Sequence, residues 1–342
     1  MNGLDKGLTR RDFLRAAGAL GAVGASGGLL GARAVESQET SGMNGMESGS
    51  GGMDMSHGGN STRGNVDTSR FDPMAFLRSF DYGEARQEGG RTIREWEIVA
   101  EDAEIEVAPG VMYPAWTYNG QVPGPTLRAT EGDRMRIVFK NRASHPHTIH
   151  FHGFHPANMD GVFELVAPGD EFVYEFDAEP FGCHLYHCHA SPLRKHIEKG
   201  MYGAFIVDPK EGRPEADEMV MIMNGFDTNF DLANEVYAVN TVAFHYQKNP
   251  IEVKRGDLIR AYVVNVLEFD FINSIHLHAN FFDYYPTGTK LEPSEFTDTK
   301  MFAQGERGIM EFTYNFPGTF MFHAHVSEFA ELGWMSLFEV RE

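Results

Sequence analysis

The chain has 342 residues, 42% of them hydrophobic, so its length and composition suit two globular domains of ordinary size. It carries 49 acidic and 29 basic residues, and the formal net charge of −20 argues against nucleic acid or an anionic membrane surface as a partner. No apolar run of about 18 residues predicts a transmembrane segment, and two cysteines are too few for a disulfide framework.

The N-terminus has the pattern of an export signal. Arg10 and Arg11 precede a weakly apolar, Ala/Gly-rich stretch at 16–30, and the small residues Ala32 and Ala34 offer a cleavage site. This arrangement resembles a twin-arginine signal. We therefore expect residues 1–34 to direct export, which would place the protein in the periplasm, outside the cell or at the cell surface.

Residues 35–70 form a predicted disordered linker rich in Met, Gly and Ser. Its possible soft-metal ligands are Met43, Met46, Met53, Met55 and His57. Thioether and imidazole groups suit Cu(I), so the linker either captures copper or is a plain flexible tail.

From about residue 90 the chain consists of short β-type runs separated by Gly and Pro turns, with little helical periodicity. Examples are 135–139, 171–176, 202–207, 258–264 and 320–323. This pattern predicts an all-β protein built from β-sandwiches.

The β-rich region also repeats itself. A Gly-Asp turn, an asparagine and two His-X-His pairs occur first as Gly132-Asp133, Asn141, His150/His152 and His187/His189, and again as Gly256-Asp257, Asn265, His276/His278 and His323/His325. The offset between copies is 126 residues for the first pairs and 136 for the second. We therefore predict two tandem sandwich domains, at residues 71–209 and 210–342.

Eight of the 15 histidines lie in these four pairs. Side chains at positions i and i+2 of a strand share a face and lie roughly 6.5–7 Å apart. Two such imidazoles can bind one metal ion or neighbouring ions of a cluster. Imidazole binds copper, zinc and iron alike, so the pairs alone do not select the metal.

The cysteine between one pair of histidines points to copper. Cys188 lies between His187 and His189, so strand alternation sends its thiolate to the opposite face from both imidazoles. Two imidazoles, a thiolate and a weak axial thioether make a trigonal blue-copper site. The predicted ligands are His147, Cys188, His196 and Met201. The covalent Cys–His link would provide a short path for single electrons.

These motifs together resemble those of multicopper oxidases, the laccases and their relatives, over residues 100–342. The resemblance implies two cupredoxin-like Greek-key sandwiches, a type 1 blue copper in the first domain and a trinuclear cluster that reduces dioxygen to water, about four coppers per chain. By position, His150 and His276 resemble the type 2 ligands. The residues that resemble the type 3 ligands are His152, His187, His189, His278, His323 and His325. The resemblance to two-domain members of the family implies a homotrimer in which each cluster is shared between adjacent subunits.

The second repeat lacks blue-site ligands. Counting at constant offset aligns His147, Cys188 and His196 with Asn273, Ala324 and Leu332, respectively. Because no thiolate is available there, only the first domain is expected to carry type 1 copper.

Two acids resemble the family's proton-relay residues. Asp160 follows the first His-X-His pair, and Glu328 lies three residues after His325. An ordinary turn or surface role is the alternative for each. The remaining imidazoles and the second thiol are expected to serve packing or the surface; they are His145, His155, His184, His245 and Cys183. Of these, His155 lies near enough to the cluster motif to support it.

We therefore expect a copper-dependent oxidase that uses dioxygen and a reducing substrate, either a phenol or a metal ion such as Cu(I), Fe(II) or Mn(II). The first alternative is a copper nitrite reductase, a trimer on the same plan. Against it, His150 stands where that family has a catalytic aspartate, and His189 stands where it has an apolar residue. The second alternative is a non-enzymatic copper-binding or storage protein.

Overall fold

The computed structural model describes residues 64–342. The predicted signal at 1–34 and positions 35–63 of the predicted linker, with their methionines, lie outside the described residues. The strands are β1 (Glu84–Glu88), β2 (Arg91–Ala108), β3 (Val111–Tyr118), β4 (Leu127–Thr130), β5 (Arg134–Asn141), β6 (His150–Phe151), β7 (Glu171–Asp177), β8 (Gly182–His187), β9 (Tyr202–Asp208), β10 (Asp217–Phe226), β11 (Val236–Val239), β12 (Ile251–Lys254), β13 (Ile259–Asn265), β14 (Ile272–Leu277), β15 (Phe282–Pro286), β16 (Glu295–Thr297), β17 (Thr299–Ala303), β18 (Arg307–Phe312), β19 (Gly318–His323) and β20 (Met335–Arg341).

The helices are few and short. They are α1 (Pro73–Leu77), α2 (Leu193–Glu198), α3 (His245–Lys248) and α4 (Ser327–Glu331), with a 3-10 turn at Ala157–Met159. None of the helices within residues 64–342 has the length and apolar composition needed to cross a lipid bilayer.

The first sandwich consists of a sheet of β1, β2, β3, β5 and β7 and a sheet of β4, β6, β8 and β9. Strand β5 alternates strictly between buried and half-buried residues, and Met135, Ile137 and Phe139 point inward. These side chains pack with Phe151 and Phe205 of the opposite sheet in one apolar core. The period-2 pattern of the sequence thus gives a sheet with one buried face.

The second sandwich repeats this plan with a sheet of β10, β11, β13, β15, β16 and β18 and a sheet of β12, β14, β17, β19 and β20. Its core is rich in aromatic residues, including Tyr237, Phe329 and Trp334. The predicted all-β fold of two tandem cupredoxin-like sandwiches is confirmed.

The repeated asparagines brace equivalent loops. The Asn141 amide group donates to the backbone carbonyls of His145 and Val166, at 2.7 and 2.8 Å. The Asn265 amide group donates to the carbonyl of Ala303 at 3.0 Å. Each asparagine therefore satisfies buried backbone groups where the chain leaves a central strand.

The structure corrects one alignment made from the sequence. In the first domain the His196 carbonyl accepts the Met201 N–H at 3.2 Å, and in the second the Phe329 carbonyl accepts the Trp334 N–H at 2.9 Å. Phe329, rather than Leu332, therefore stands at the position of His196. Counting at constant offset failed because the segment between the His-X-His pair and this position is three residues shorter in the second domain.

A third apolar cluster joins the two domains within the chain. It includes Cys183 and Leu185 of β8 together with Tyr262 of β13 and Ile309 of β18. Cys183 is a buried free thiol, as predicted, and its backbone N–H donates to the Thr287 carbonyl at 2.8 Å. The strand that leads to His187 is thus held against the second domain.

Candidate metal centres

Three ligand atoms converge at one end of the first sandwich. Cys188 follows β8, His147 precedes β6 and His196 lies in α2. The two Nδ1 atoms are 3.1 Å apart, and Cys188 Sγ lies 3.2 Å from His196 Nδ1 and 3.8 Å from His147 Nδ1. Met201 is fully buried in the same core, and its carbonyl accepts the Cys188 N–H at 3.0 Å. The local backbone therefore brings all four predicted blue-site residues together.

Burial keeps this group electrically neutral in the absence of a cation. It lowers the pKa of His147 to about 3 and that of His196 to about 4, so both imidazoles are unprotonated and able to bind a metal. It also raises the pKa of the Cys188 thiol, whose sulfur accepts a weak hydrogen bond from the Thr148 N–H at 3.4 Å. A metal ion would supply the charge that ionises the thiol. A thiolate with two neutral imidazoles and a thioether fits copper.

Four imidazoles form a quartet on the first domain. Strands β6 and β8 pair His150 directly with His187. The His150 ring centroid lies 5.1 Å from that of His152, 5.3 Å from that of His187 and 5.5 Å from that of His189. The Nε2 atoms of His152 and His187 are 3.3 Å apart. Two nitrogens bound at about 2.0 Å to one tetrahedral ion lie roughly 3.3 Å apart, so this spacing fits a shared metal.

A second quartet has nearly the same geometry on the second domain. Strands β14 and β19 pair His276 with His323. The His276 centroid lies 4.9 Å from that of His278, 5.6 Å from that of His323 and 5.3 Å from that of His325. The Nε2 atoms of His278 and His323 are 3.0 Å apart. The repeat therefore reproduces the quartet as well as the sandwich.

Backbone carbonyls fix the orientation of the two directly paired imidazoles in each quartet. The Nδ1–H groups donate from His150 to Asp160 O at 2.7 Å, from His187 to Cys188 O at 2.9 Å, from His276 to Asp298 O at 3.0 Å and from His323 to Ala324 O at 2.7 Å. A carbonyl can only accept, so each ring carries its proton on Nδ1 and leaves the Nε2 lone pair for a metal.

The two quartets differ in their surroundings. The first lines a cavity of about 300 Å³ between the domains, together with apolar residues and the side chains of Glu268 and Gln304. Burial lowers the pKa of His152 to about 2 and raises that of Glu268 to about 7. In the second quartet His278 and His325 are exposed. Within residues 64–342, no ring contact joins a histidine of one quartet to a histidine of the other.

The two predicted relay acids lie in different settings. Asp160 Oδ1 is 3.2 Å from His150 Nδ1 and 3.7 Å from His155 Nε2, so Asp160 adjoins the first quartet. Gly161 permits this close turn, because its φ is +70° and a Cβ would lie 1.9 Å from the Ile149 carbonyl oxygen. Glu328 is half-buried in α4, next to Phe329.

Comparison with known proteins identifies the family. Models described as multicopper oxidase match residues 100–212 and 214–342, which together cover more than half of the chain. The chain belongs to the multicopper oxidase family. Membership of this family implies a copper-dependent oxidoreductase. This agrees with the imidazole, thiol and thioether groups that lie together at one end of the first sandwich.

Solved structures support the assignment. A crystal structure of a multicopper oxidase is 57% identical to this chain and superposes with a TM-score of 0.80, covering 81% of this chain and 100% of the other. The copper nitrite reductase from Nitrosomonas europaea is 26% identical with a TM-score of 0.67, over 73% of this chain and 94% of the other.

Curated relatives carry two kinds of name. The copper-containing nitrite reductase of Neisseria meningitidis serogroup A is 31% identical over 65% of this chain and 62% of its own length. Copper resistance protein A of Escherichia coli is 42% identical over 34% of this chain and 20% of its own length. This multicopper oxidase thus matches less than two thirds of the length of these relatives.

The sequence motifs gave no sign of an aromatic residue beside the converging His147, Cys188 and His196 side chains of this multicopper oxidase. The Trp116 ring lies 5.3 Å from the ring of His147 and 4.8 Å from that of His196, between centroids. Trp116 has an equivalent in the second domain. The backbone N–H of Trp116 donates to the Lys199 carbonyl at 2.9 Å, and the backbone N–H of Tyr237 donates to the Leu332 carbonyl at 3.1 Å. An aromatic residue therefore occupies this strand position in both domains.

Proposed function

We propose that this multicopper oxidase is laccase-like: it takes single electrons from a phenolic or metal-ion donor at a type 1 copper and reduces dioxygen to water at a trinuclear copper cluster. The type 1 copper would be held by His147, Cys188, His196 and Met201. The observation that carries the proposal is the pair of matched quartets, because eight imidazoles are what three further copper ions require.

The proposed cluster assembles between subunits. His150 and His276 would hold the type 2 copper, and the type 3 pair would be held by His152, His187, His189, His278, His323 and His325. The exposure of His278 and His325 and the lack of ring contacts between quartets within residues 64–342 support sharing. Head-to-tail contacts between domain 1 of one subunit and domain 2 of the next would close a homotrimer.

Bound copper would supply one-electron redox chemistry at the first site and reduction of dioxygen at the second. The protein supplies the path between them. Cys188 lies between His187 and His189 in the chain, and its carbonyl accepts the His187 Nδ1–H at 2.9 Å. One residue therefore links the blue site to two cluster ligands, through covalent bonds and one hydrogen bond.

Reduction of one dioxygen to two waters consumes four electrons and four protons. We propose that Asp160 delivers protons to dioxygen reduced at the first quartet and not to His150, whose Nδ1 already carries a proton. Its carboxylate lies 3.2 Å from that Nδ1 atom and therefore adjoins a proposed cluster ligand. Glu328 is the proposed second acid, beside the second quartet in the chain. We also propose the domain limits 71–209 and 210–342, export of the chain by the signal at 1–34 and a linker at 35–70. The described end of this linker contacts both domains, because the Lys248 ammonium donates to the Gly64 carbonyl at 2.7 Å and the Asp67 N–H donates to the Glu106 carboxylate at 2.9 Å.

Nitrite reduction is the second candidate, because nitrite reductases are among the similar proteins. Two residues favour the oxidase. His150 and His189 have ring centroids 5.5 Å apart within the quartet, where each can add a ligand that a single catalytic copper does not need.

Copper content and acceptor use together test the proposal. The copper-loaded protein should bind about four coppers per chain, consume dioxygen with a phenolic or metal-ion donor and leave nitrite unchanged. His189→Val should retain the blue absorption and lose at least about 100-fold in oxygen uptake, because it removes a cluster ligand only. About two coppers per chain with nitrite consumption would support the reductase instead.

A further inference from the structure

The two imidazoles of the proposed type 1 site are shielded from solvent. His147 is 0% exposed and His196 is 3% exposed. A donor in solution therefore has almost no imidazole surface to touch. Electrons must cross a neighbouring group, and the packing around the two rings limits which group that is.

Trp116 occupies the space between these imidazoles and the surface. Its indole contacts both rings, with centroid separations of 5.3 Å to His147 and 4.8 Å to His196, and it keeps 8% of its surface exposed. The exposed His145 ring packs on it at 4.6 Å, and the Lys195 ammonium lies 5.4 Å from its centroid. A continuous aromatic contact thus runs from the surface to both imidazoles.

The second domain shows what the same strand position does without a copper site. Tyr237 is 0% exposed and stacks on Phe329 with centroids 4.1 Å apart. Its hydroxyl donates to the Asp270 carboxylate at 2.7 Å. An aromatic ring here packs against the helix in both domains, but only Trp116 contacts two imidazoles and also reaches the surface. Packing and this hydrogen bond account for Tyr237, whereas neither accounts for the two imidazole contacts and the exposed edge of Trp116.

We propose that Trp116 is the electron-entry residue of this enzyme, and that donors contact it at the surface formed with His145 and Lys195. The inference rests on the proposed type 1 assignment. One electron leaves the donor and crosses the indole and an adjacent imidazole. A type 1 Cu(II) held by His147, Cys188 and His196 would take up this electron as Cu(I). The donor becomes its one-electron oxidised form, and a phenol releases its proton to solvent. Four such transfers supply the electrons for one dioxygen.

The Lys195 ammonium favours a bridging role for the indole over storage of a radical. A cation near the ring is attracted by the ring's electron density and would be repelled by an oxidised indole. Removing an electron from Trp116 itself is thereby disfavoured. The ring then mediates transfer between the donor and the imidazole without becoming a long-lived oxidised species.

Anaerobic reduction of the blue absorption by hydroquinone and by ferrocyanide tests the proposal. Trp116→Leu should slow bleaching by about tenfold with both donors, equivalent to about 1.4 kcal/mol of activation free energy, and Trp116→Phe should slow it less. Tyr237→Leu is the matched control, because it removes the equivalent ring from the domain without a blue site, and it should bleach at the wild-type rate. If Trp116→Leu does not fold, the Trp116→Phe and Tyr237→Phe pair carries the same comparison.

The type 1 reduction potential of each variant is measured by redox titration, and rates are compared at equal driving force. A slowing that persists supports entry through Trp116. A slowing that vanishes at equal driving force, or a wild-type rate in Trp116→Leu, would mean that electrons enter at the His196 edge and would overturn the proposal. Dioxygen is absent, so failure of the oxidase assignment would not affect this result.

Tryptophan fluorescence of the copper-free protein tests the contact between the donor and Trp116 without any turnover. Hydroquinone should quench the part of the tryptophan fluorescence that Trp116→Phe removes, while the buried Trp96 and Trp334 stay unquenched. Equal quenching in the wild type and in Trp116→Phe would show that donors do not contact this ring.

Discussion

The two sandwiches share one backbone plan, and they differ most at the short helix that follows the second His-X-His pair. In the first domain this helix supplies His196, which lies 3.2 Å from the Cys188 sulfur. In the second it supplies Phe329, which stacks on Tyr237 at 4.1 Å, and Ala324 takes the place of the thiol. The same frame therefore holds the ligand group of the proposed type 1 copper in one domain and an apolar core in the other.

The histidine quartets show the opposite behaviour, because both domains keep them. Their paired Nε2 atoms are 3.3 Å apart in the first domain and 3.0 Å apart in the second. The proposed electron-entry site thus occurs once per chain, whereas each domain carries one quartet of the proposed cluster. The proposed blue site therefore depends on a few side chains, whereas the quartet belongs to the repeated sheet.

The largest expected effect comes from removing the thiol that distinguishes the two domains. Cys188→Ser should abolish the blue absorption and oxygen uptake, since the sulfur is both the proposed copper ligand and the start of the proposed path from that copper to the cluster. The quartets should still bind copper, which metal analysis would detect. Turnover at the wild-type rate in this variant would refute the proposed route.

Cys183→Ser is the matched control, because this cysteine is equally buried and lies five residues away in the chain, at the domain interface. It should keep the blue absorption and lose stability by about 1 kcal/mol.

The second prediction concerns stability of the copper-free protein. Phe329→Ala should lower the free energy of unfolding by about 3–5 kcal/mol, because it leaves a cavity in an aromatic core. His196→Ala should cost only about 1 kcal/mol, because a neutral imidazole gains less from burial. Urea denaturation measures both changes. Equal losses would mean that the two helices are stabilised in the same way, which would contradict the contrast between an imidazole in one domain and an apolar core in the other.

Acid should weaken the copper-free first domain. Burial lowers the pKa of His184 from an ordinary 6.5 to about 4, so the folded state binds fewer protons than the unfolded state between these values. Stability is therefore complete above pH 6.5 and falls as the pH drops toward 4, by up to about 3 kcal/mol from this residue. His184→Phe should flatten that dependence in urea denaturation. An unchanged slope would show that His184 is not held neutral.

The smallest expected effect sharpens the electron-entry surface. Lys195→Glu should slow bleaching by ferrocyanide about threefold to tenfold at low salt, with little change for the neutral hydroquinone. Lys254→Glu makes the same charge change in the second domain, where Lys254 is exposed, and should affect neither donor. Equal slowing in both variants would indicate a general charge effect.

Much of this architecture was predictable from local sequence. The alternation of apolar and polar residues in strands such as β5 predicted the sandwiches. The motifs around His150 and Cys188 predicted ligand residues that the fold does bring together. The position of Phe329 was not predictable. The segment between the His-X-His pair and this position is three residues shorter in the second domain, and an alignment at constant offset does not detect the difference. The contact of Trp116 with His196 joins distant segments, and the carbonyl acceptors of the imidazoles have no side-chain signal at all.

The central claim is that each cluster draws one quartet from each of two subunits. It is tested by mixing His187→Ala/His189→Ala subunits with His323→Ala/His325→Ala subunits before copper loading. A trimer containing both variants has one interface made only of intact quartets, so random equal mixing should restore about one quarter of the wild-type oxygen uptake. Mixtures no more active than the separate variants, or a fully active monomer by light scattering, would contradict the account.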